Sequence, residues 1–428
     1  MMGTSGSAGS SERGLLVVEN EPLPRTSVAQ RRLVVALFAV GLTLRLVLLG
    51  VTPPFAAPDE VAHFRYLRYI ATHHALPIQH ARMGQTPDYE DYQPPLYYVI
   101  SAPVYASMQR LTGDEAETLR ALRYTSLLWW VATFACATAL IRRLRLEGTL
   151  TGTVAIGLVA LLPTYIALST DVTNDGLAVA LSTAALMVAA NPVTRRAALT
   201  LGLLTGLALL AKLTALALVP TVVVWLSLRR IPARRLLIAG VTAAAVVAPF
   251  LVRNLLTYGD LTAEKVANIP YQWPGIATAI RASTINIIPT FWSTYGPGNG
   301  VSPFSSMETT LTIALCAAAA WAALSRRRIW RPVMSTPRGA LLCASAAGAM
   351  AAIALTVRFG LLYDQPQGRY LFPLLVPLGL VAGAALEGLG LSRARRYVVP
   401  LCALALVVYA LACVSVDLAS VGAPWPEP

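Results

Sequence analysis

Apolar stretches long enough to cross a bilayer, about 20 residues each, recur from residue 31 to the C-terminus, separated by short clusters of arginine. In lipid every backbone N–H and C=O must be satisfied within the protein, so a chain built of such stretches folds as membrane-crossing α-helices. Composition agrees, at 56% hydrophobic, 13% charged and a mean hydropathy of +0.60, outside the range of soluble globular domains. A net charge of +13 would point to nucleic acid in a soluble chain. Here the basic residues sit between apolar runs, where they mark cytosolic loops, and no nucleic-acid partner is expected.

Those clusters fix an expected topology. RRLR (142–145), Arg195 with Arg196, RRIPARR (229–235), RRRIWR (326–331) with Arg338, and RARR (393–396) belong on the cytosolic side. They alternate consistently with eleven spans, near 31–51, 121–141, 149–168, 176–190, 197–211, 213–228, 236–252, 309–324, 339–357, 370–390 and 397–415. The N-terminus is then inside and the C-terminus outside. Residues 1–30, rich in Ser and Gly, read as a disordered cytosolic tail, 31–415 as the transmembrane domain and 416–428 as a short outer tail. A signal peptide cleaved near Phe55-Ala56-Ala57 is the alternative for the first run; a long polar leader and near-full span length favour an uncleaved helix. The segment 95–109 is short and carries Pro103, and the alternation holds only if it lies on the outer surface.

This topology sorts the chemistry to one side. Of the 21 acids, 16 fall outside, eight of them in the first outer loop (52–120), which also holds all four histidines. A second long outer loop covers 253–308. The spans are almost free of ionisable groups, the exceptions being Arg45, and Lys212 and Glu387 near span ends. All five cysteines fall within spans, so neither a disulfide framework nor a cysteine zinc site is indicated.

Pro58-Asp59-Glu60 stands where the first span gives way to a surface helix. Pro58 suits the first helical position, with both acids in the first turn. There they either complement the helix dipole or supply a general base or cation ligand at the bilayer surface. His63 follows Glu60 by three and Asp59 by four, so the three share a helix face. A histidine paired to a carboxylate is the plainer expectation, since a metal site needs further ligands. Tyr92-Gln93-Pro94-Pro95-Leu96-Tyr97-Tyr98 reads as a turn into the surface helix, or as hydrogen-bonding and sugar-stacking groups. Lys212, one of two lysines, either snorkels to the interface or offers a point charge to a lipid phosphate. Arg369, at the outer mouth of a span, is either an interfacial anchor or a bidentate phosphate ligand.

Taken in order, these motifs resemble the GT-C superfamily of membrane glycosyltransferases, nearest to the protein O-mannosyltransferase and aminoarabinose-transferase group. PDE-x-x-H-F (58–64), QPPLYY (93–98), NDGLA (174–178), GLALLAK (206–212) and QGRYLFP (367–373) carry the resemblance, which covers the span layout of nearly the whole chain. It implies inverting transfer of a sugar from a polyprenyl-phosphate donor on the outer face of the inner (plasma) membrane. Asp59 matches the base on the acceptor hydroxyl, with Glu60 as neighbour and alternate; Lys212 and Arg369 match the cations that hold the lipid phosphate. His63, Tyr92, Gln93, Asp175 and Tyr370 are expected to bind substrate. No cofactor is required, although some relatives use divalent ions. Larger relatives carry a soluble C-terminal domain, whereas this chain ends at Pro428 soon after the last span. That directs the expectation to a glycan or lipid acceptor of the envelope rather than a folded protein.

Two other functions compete. A lipid or glycan transporter or flippase would place ionisable residues at mid-membrane and often repeat its halves, and the one-sided chemistry argues against it. A non-catalytic scaffold of an envelope-synthesis complex would use the same loops for docking. The glycosyltransferase reading demands that Asp59, Lys212 and Arg369 line one cavity. It further expects that the two cations gather there only for an anion, because each raises the cost of the other.

Overall fold

The computed structural model describes residues 27–80, 82, 88–293, 302–325, 336–364, 366–390 and 395–420. Most of the expected cytosolic tail, the RRRIWR cluster and the end of the outer tail lie outside the described residues.

Among the described residues all regular structure is helical. Helix α1 (Val28–Val51) opens on a capping box: Ser27 Oγ accepts from the Gln30 N–H at 3.2 Å, and Gln30 Oε1 accepts from the Ser27 N–H at 2.9 Å. It ends before Pro53-Pro54, which cannot continue the ladder. The expected first outer loop holds α2 (Glu60–His73) and α3 (Leu96–Thr112), the latter closed by Gly113 at φ 65°. Helix α4 (Glu115–Arg143) starts on Asp114, whose carboxylate accepts from the Ala116 and Glu117 N–H groups. There follow α5 (Leu150–Leu161), α6 (Pro163–Leu168), α7 (Asp175–Ala189) and α8 (Arg195–Ala211). A 3-10 turn (Leu213–Ala217) leads into α9 (Leu218–Leu228) and then α10 (Ala233–Tyr258). The chain continues through α11 (Glu264–Ala267), α12 (Ile276–Trp292), α13 (Ser305–Ser325) and α14 (Pro337–Tyr363). A second 3-10 turn (Gly368–Leu374) runs into α15 (Leu375–Gly388), and α16 (Arg395–Ser420) closes the bundle.

Seven helical runs among the described residues are long and apolar enough to cross a bilayer: α1, α4, α10, α13, α14, Gly368–Gly388 and α16. The other four expected spans are helical but shorter. The stretch 149–168 is not one helix, because Leu162 is extended ahead of Pro163 and a new helix begins there. The long outer loop is largely structured as well, containing the last turns of α10 with α11 and α12.

Helix α5 is buried on every side and forms the centre of the main core. It packs on α15 through Gly379 and Gly383, where an added Cβ would come within 2.6 Å of the Ala155 Cα and 2.5 Å of the Thr151 Cα. Small residues are what let membrane helices approach so closely. Arg45, in the second half of α1, is sealed in beside this core. It donates to Ser169 Oγ (2.7 Å) and to the carbonyls of Gly41 (3.0 Å) and Ala160 (2.7 Å), and lies 4.1 Å from the Trp130 ring centroid. A charge so fully engaged is a strut, not part of a transport path.

A second core fixes the first outer loop. Phe64, Tyr66, Tyr97, Tyr98 and Tyr105 from α2 and α3 pack with Leu119 and Leu122 of α4. Tyr66 and Tyr98 stack with centroids 3.8 Å apart. The loop is thereby a rigid platform whose leading edge is Asp59.

Candidate active site

The helix begins two residues later than expected. Pro58 precedes it, and Asp59 sits at the cap position in the left-handed region, at φ 61°. Such a conformation costs a non-glycine residue about 1–2 kcal/mol, and it holds because both flanks are pinned. Glu60 is fully buried and takes two bonds from Arg123, at 2.6 and 2.8 Å, plus one from the Val172 N–H at 3.2 Å. Arg123 also donates to the carbonyls of Thr52 (2.7 Å) and Pro53 (2.9 Å). One guanidinium thus ties the end of α1 and the start of α2 to α4. Glu60, expected as the alternate base, does not line the cavity. Arg123 lies inside the expected span 121–141 and belongs with the exceptions to its apolar character.

Asp59 lines a cavity of about 490 Å³, together with His63, Glu90, Gln93, Lys212 and Arg369. Tyr92 and Tyr370 belong to the same polar wall, as does the ion pair of Arg358 with Glu264; Leu209, Leu213, Val247, Leu251 and Leu355 from α8, the first 3-10 turn, α10 and α14 form an apolar one. The three residues expected to meet do so. The Tyr370 ring centroid is 5.9 Å from Lys212 Nζ and 6.0 Å from Arg369 Cζ, so one aromatic ring adjoins both cations.

Neither cation waits alone for an anion, contrary to expectation. Arg369 forms an ion pair with Asp59 Oδ2, and Lys212 bonds Asp175 Oδ2 at 2.7 Å. Asp175 does not line the cavity; it accepts from Thr173 Oγ1 at 3.0 Å and neutralises the lysine from behind. Like charges gather here because each has its own carboxylate.

The second oxygen of Asp59 accepts from the Tyr89 hydroxyl at 2.7 Å. Burial opposes the Asp59 charge, but the Arg369 charge and hydrogen bond outweigh it and hold the carboxyl well below the usual range. His63 shares a 2.7 Å hydrogen bond with the Tyr98 hydroxyl instead of a carboxylate. Burial pushes its imidazole down to about 4, so it is neutral at pH 7. Glu90 is buried, and desolvation, followed by the nearby Asp59 charge, raises its carboxyl to about 7. Gln93 joins the loop to the NDGLA turn, accepting from Asn174 Nδ2 at 3.4 Å and donating to Tyr92 Oη at 3.2 Å. His73, His74 and His80 are exposed. Among the described residues no three His, Cys, Asp or Glu side chains group as a metal site.

Comparison with solved structures bears on the fold. ArnT from Cupriavidus metallidurans, in the apo state, superposes with a TM-score of 0.51 at 18% identity, over 84% of this chain and 60% of that one. The two chains share a fold. The archaeal oligosaccharyltransferase AglB from Archaeoglobus fulgidus, in complex with an inhibitory peptide and a dolichol-phosphate, gives a TM-score of 0.57 at 12% identity. That match covers 94% of this chain and 56% of AglB, so the chain spans at most about three fifths of either GT-C neighbour. A family model described as dolichyl-phosphate-mannose-protein mannosyltransferase matches residues 98–252, a stretch that includes Asp175 and Lys212 but neither Asp59 nor Arg369. No curated protein sequence matches the chain.

The motifs quoted for the GT-C resemblance therefore converge. Sequence reasoning missed Tyr89, Glu90 and Arg123. The first two lie in the dense PDYEDYQPP run and were readable as candidates; Arg123 sits in an apolar helix with nothing nearby in sequence to name its partner.

Proposed function

We propose that the chain is an inverting glycosyltransferase that moves a sugar from a polyprenyl-phosphate donor to a glycan or lipid acceptor. The observation that carries this reading is the cavity itself. It joins Asp59, the cations Lys212 and Arg369, and an apolar wall, which are the groups needed for a base, a phosphate and a lipid tail; the other lining cation, Arg358, is paired with Glu264. In this reading all eleven helical segments cross or enter the membrane, with the N-terminus inside, and α2 and α3 lie on the outer face of the inner (plasma) membrane. Membrane lipid surrounds the bundle.

The acceptor oxygen attacks the anomeric carbon on the face opposite the phosphate. As that bond forms, the bond to the phosphate oxygen breaks and its electron pair leaves on the lipid phosphate. The hydroxyl proton passes to Asp59. Lys212 and Arg369 stabilise the charge that develops on the leaving group. Tyr92, Gln93 and Tyr370 contact the substrate, His63 acts as a neutral hydrogen-bonding group, and Asp175 acts through Lys212. No cofactor is called for, and a chelator is expected to leave the rate unchanged; a loss restored by a divalent cation would overturn that part.

A photoreactive polyprenyl phosphate tests the reading in purified protein. It should label the segments around Leu213 and Leu251, and Lys212→Gln and Arg369→Gln should each reduce labelling about tenfold or more, as expected for loss of a charge-assisted phosphate contact. Labelling spread evenly over the lipid-facing surface, unaffected by either change, would reject the donor site.

A further inference from the structure

The proposed reaction gives Asp59 and Arg369 separate tasks, yet the structure binds them to each other. One carboxylate oxygen is taken by Arg369 and the other by the Tyr89 hydroxyl. Both side chains are close to nine-tenths buried, at 12% and 11% exposure. A carboxylate held in this way has little pull on an acceptor's proton, because its negative charge is already compensated. The arginine's side of the pair is unfinished. Its contact with Asp59 uses Nη2, and the buried Nε has no hydrogen-bond partner among the described residues.

We propose that the donor's phosphate is what arms the base: Arg369 keeps Asp59 in an ion pair until a lipid phosphodiester takes the guanidinium, and Asp59 is then free to accept the hydroxyl proton. The inference rests on the glycosyltransferase reading and concerns the order of events within it. A phosphodiester offers two non-bridging oxygens, which match the guanidinium fork and employ donors that the resting pair leaves idle. Lys212 needs no such release, since an ammonium has three donors and the contact with Asp175 uses one. Once an anion stands beside Arg369, the support for the Asp59 charge falls and its proton affinity rises.

The other groups facing Asp59 do not replace that support. His63 is neutral at pH 7, the Glu90 carboxyl carries no positive charge, and Lys212 is held by Asp175. Tyr89 stays as a donor that fixes the carboxylate's orientation. After transfer the lipid phosphate has gained one negative charge and Asp59 one proton. Departure of the lipid returns Arg369 to Asp59 and expels that proton. The donor must therefore bind before the acceptor can be activated.

Farnesyl methyl phosphate, a phosphodiester whose single charge does not titrate in the working range, tests the coupling by calorimetry on the full chain in nanodiscs. Between about pH 6 and pH 5 Glu90 is largely protonated and His63 still largely neutral, and binding that raises the proton affinity of Asp59 must itself strengthen as pH falls, by up to about tenfold per pH unit. Asp59→Asn should bind the diester about tenfold tighter than wild type at pH 6 and lose that share of the pH dependence. Binding that is flat with pH in the wild type overturns the inference without needing any variant. So does an Asp59→Asn protein that binds no tighter and keeps the wild-type slope; in both cases the donor site survives. Failure of the wild type to bind the diester at all removes the donor site and the inference together.

Discussion

Asp59 meets Arg369 across 310 residues of sequence at the wall of a cavity, whereas its neighbour Glu60 meets Arg123 across 63 in the sealed interior. The residue types are nearly the same and the settings are opposite. Around Glu60 the hydrogen bonding is closed: Arg123 is shared with two loop carbonyls, and the Val172 N–H completes the carboxylate. Nothing there is left for a ligand. Around Asp59 the pairing is incomplete, the backbone is held in the left-handed region, and the partner arginine keeps an idle donor. What separates a structural ion pair from a reactive one is therefore the number of bonds it leaves unmade, not its charge.

The comparison breaks most readily at Asp59. Asp59→Asn should lower transfer by about 100- to 10,000-fold, the usual share of a general base, while the yield of folded protein stays level. Radiolabelled sugar transfer in detergent, measured beside the thermal melt, reads both; near-wild-type turnover would end the assignment. The reverse pattern is expected next door. Arg123→Leu leaves a buried carboxylate unpaired and should cost about 3–5 kcal/mol of stability. Glu60→Gln should likewise lower the melting temperature, yet keep turnover in the protein that remains folded. If Glu60→Gln folds normally and is inactive, the two acids have been given the wrong roles.

The smallest effect is expected from Glu90. Its folded carboxyl is raised from 4.5 to about 7, so the native state holds this proton where the unfolded chain has released it. Stability from this group is therefore intact below the unfolded value and declines as pH rises towards 7. Glu90→Gln should flatten the fall in melting temperature between about pH 5 and pH 8. An unchanged profile would mean that Glu90 does not titrate in the native cavity.

Much of this was legible in the chain. The apolar runs announced the helices, the position of PDE after the first run announced the loop, and a lone lysine in GLALLAK drew attention to itself. The pairing was not legible. Asp59 and Arg369 are brought together only by the closing of the bundle, and local spacing placed Asp59, Glu60 and His63 on one helix face. The chain instead turns left-handed at Asp59, sending Glu60 to Arg123 and His63 to Tyr98. Span length was misread at Pro163 because a hydropathy pattern does not register a backbone break between two apolar turns. The expectation of unpaired cations failed for a related reason, since Asp175 was read as a ligand for substrate and is Lys212's counter-ion.

Arg45 carries a consequence for how the protein is made. Its hydrogen-bond partners outside its own helix, Val159, Ala160 and Ser169, follow it by 114, 115 and 124 residues. At ordinary rates of synthesis that is a delay on the order of ten seconds, during which the first span carries a cation without those partners. A bare arginine at that depth strongly disfavours a helix settled alone in lipid. The first span must therefore wait at the insertion machinery, or sit displaced towards the interface, until α5 and α6 arrive to enclose it. Assembly of the bundle is in this sense retroactive, with the third apolar segment, α5 and α6 together, completing the insertion of the first.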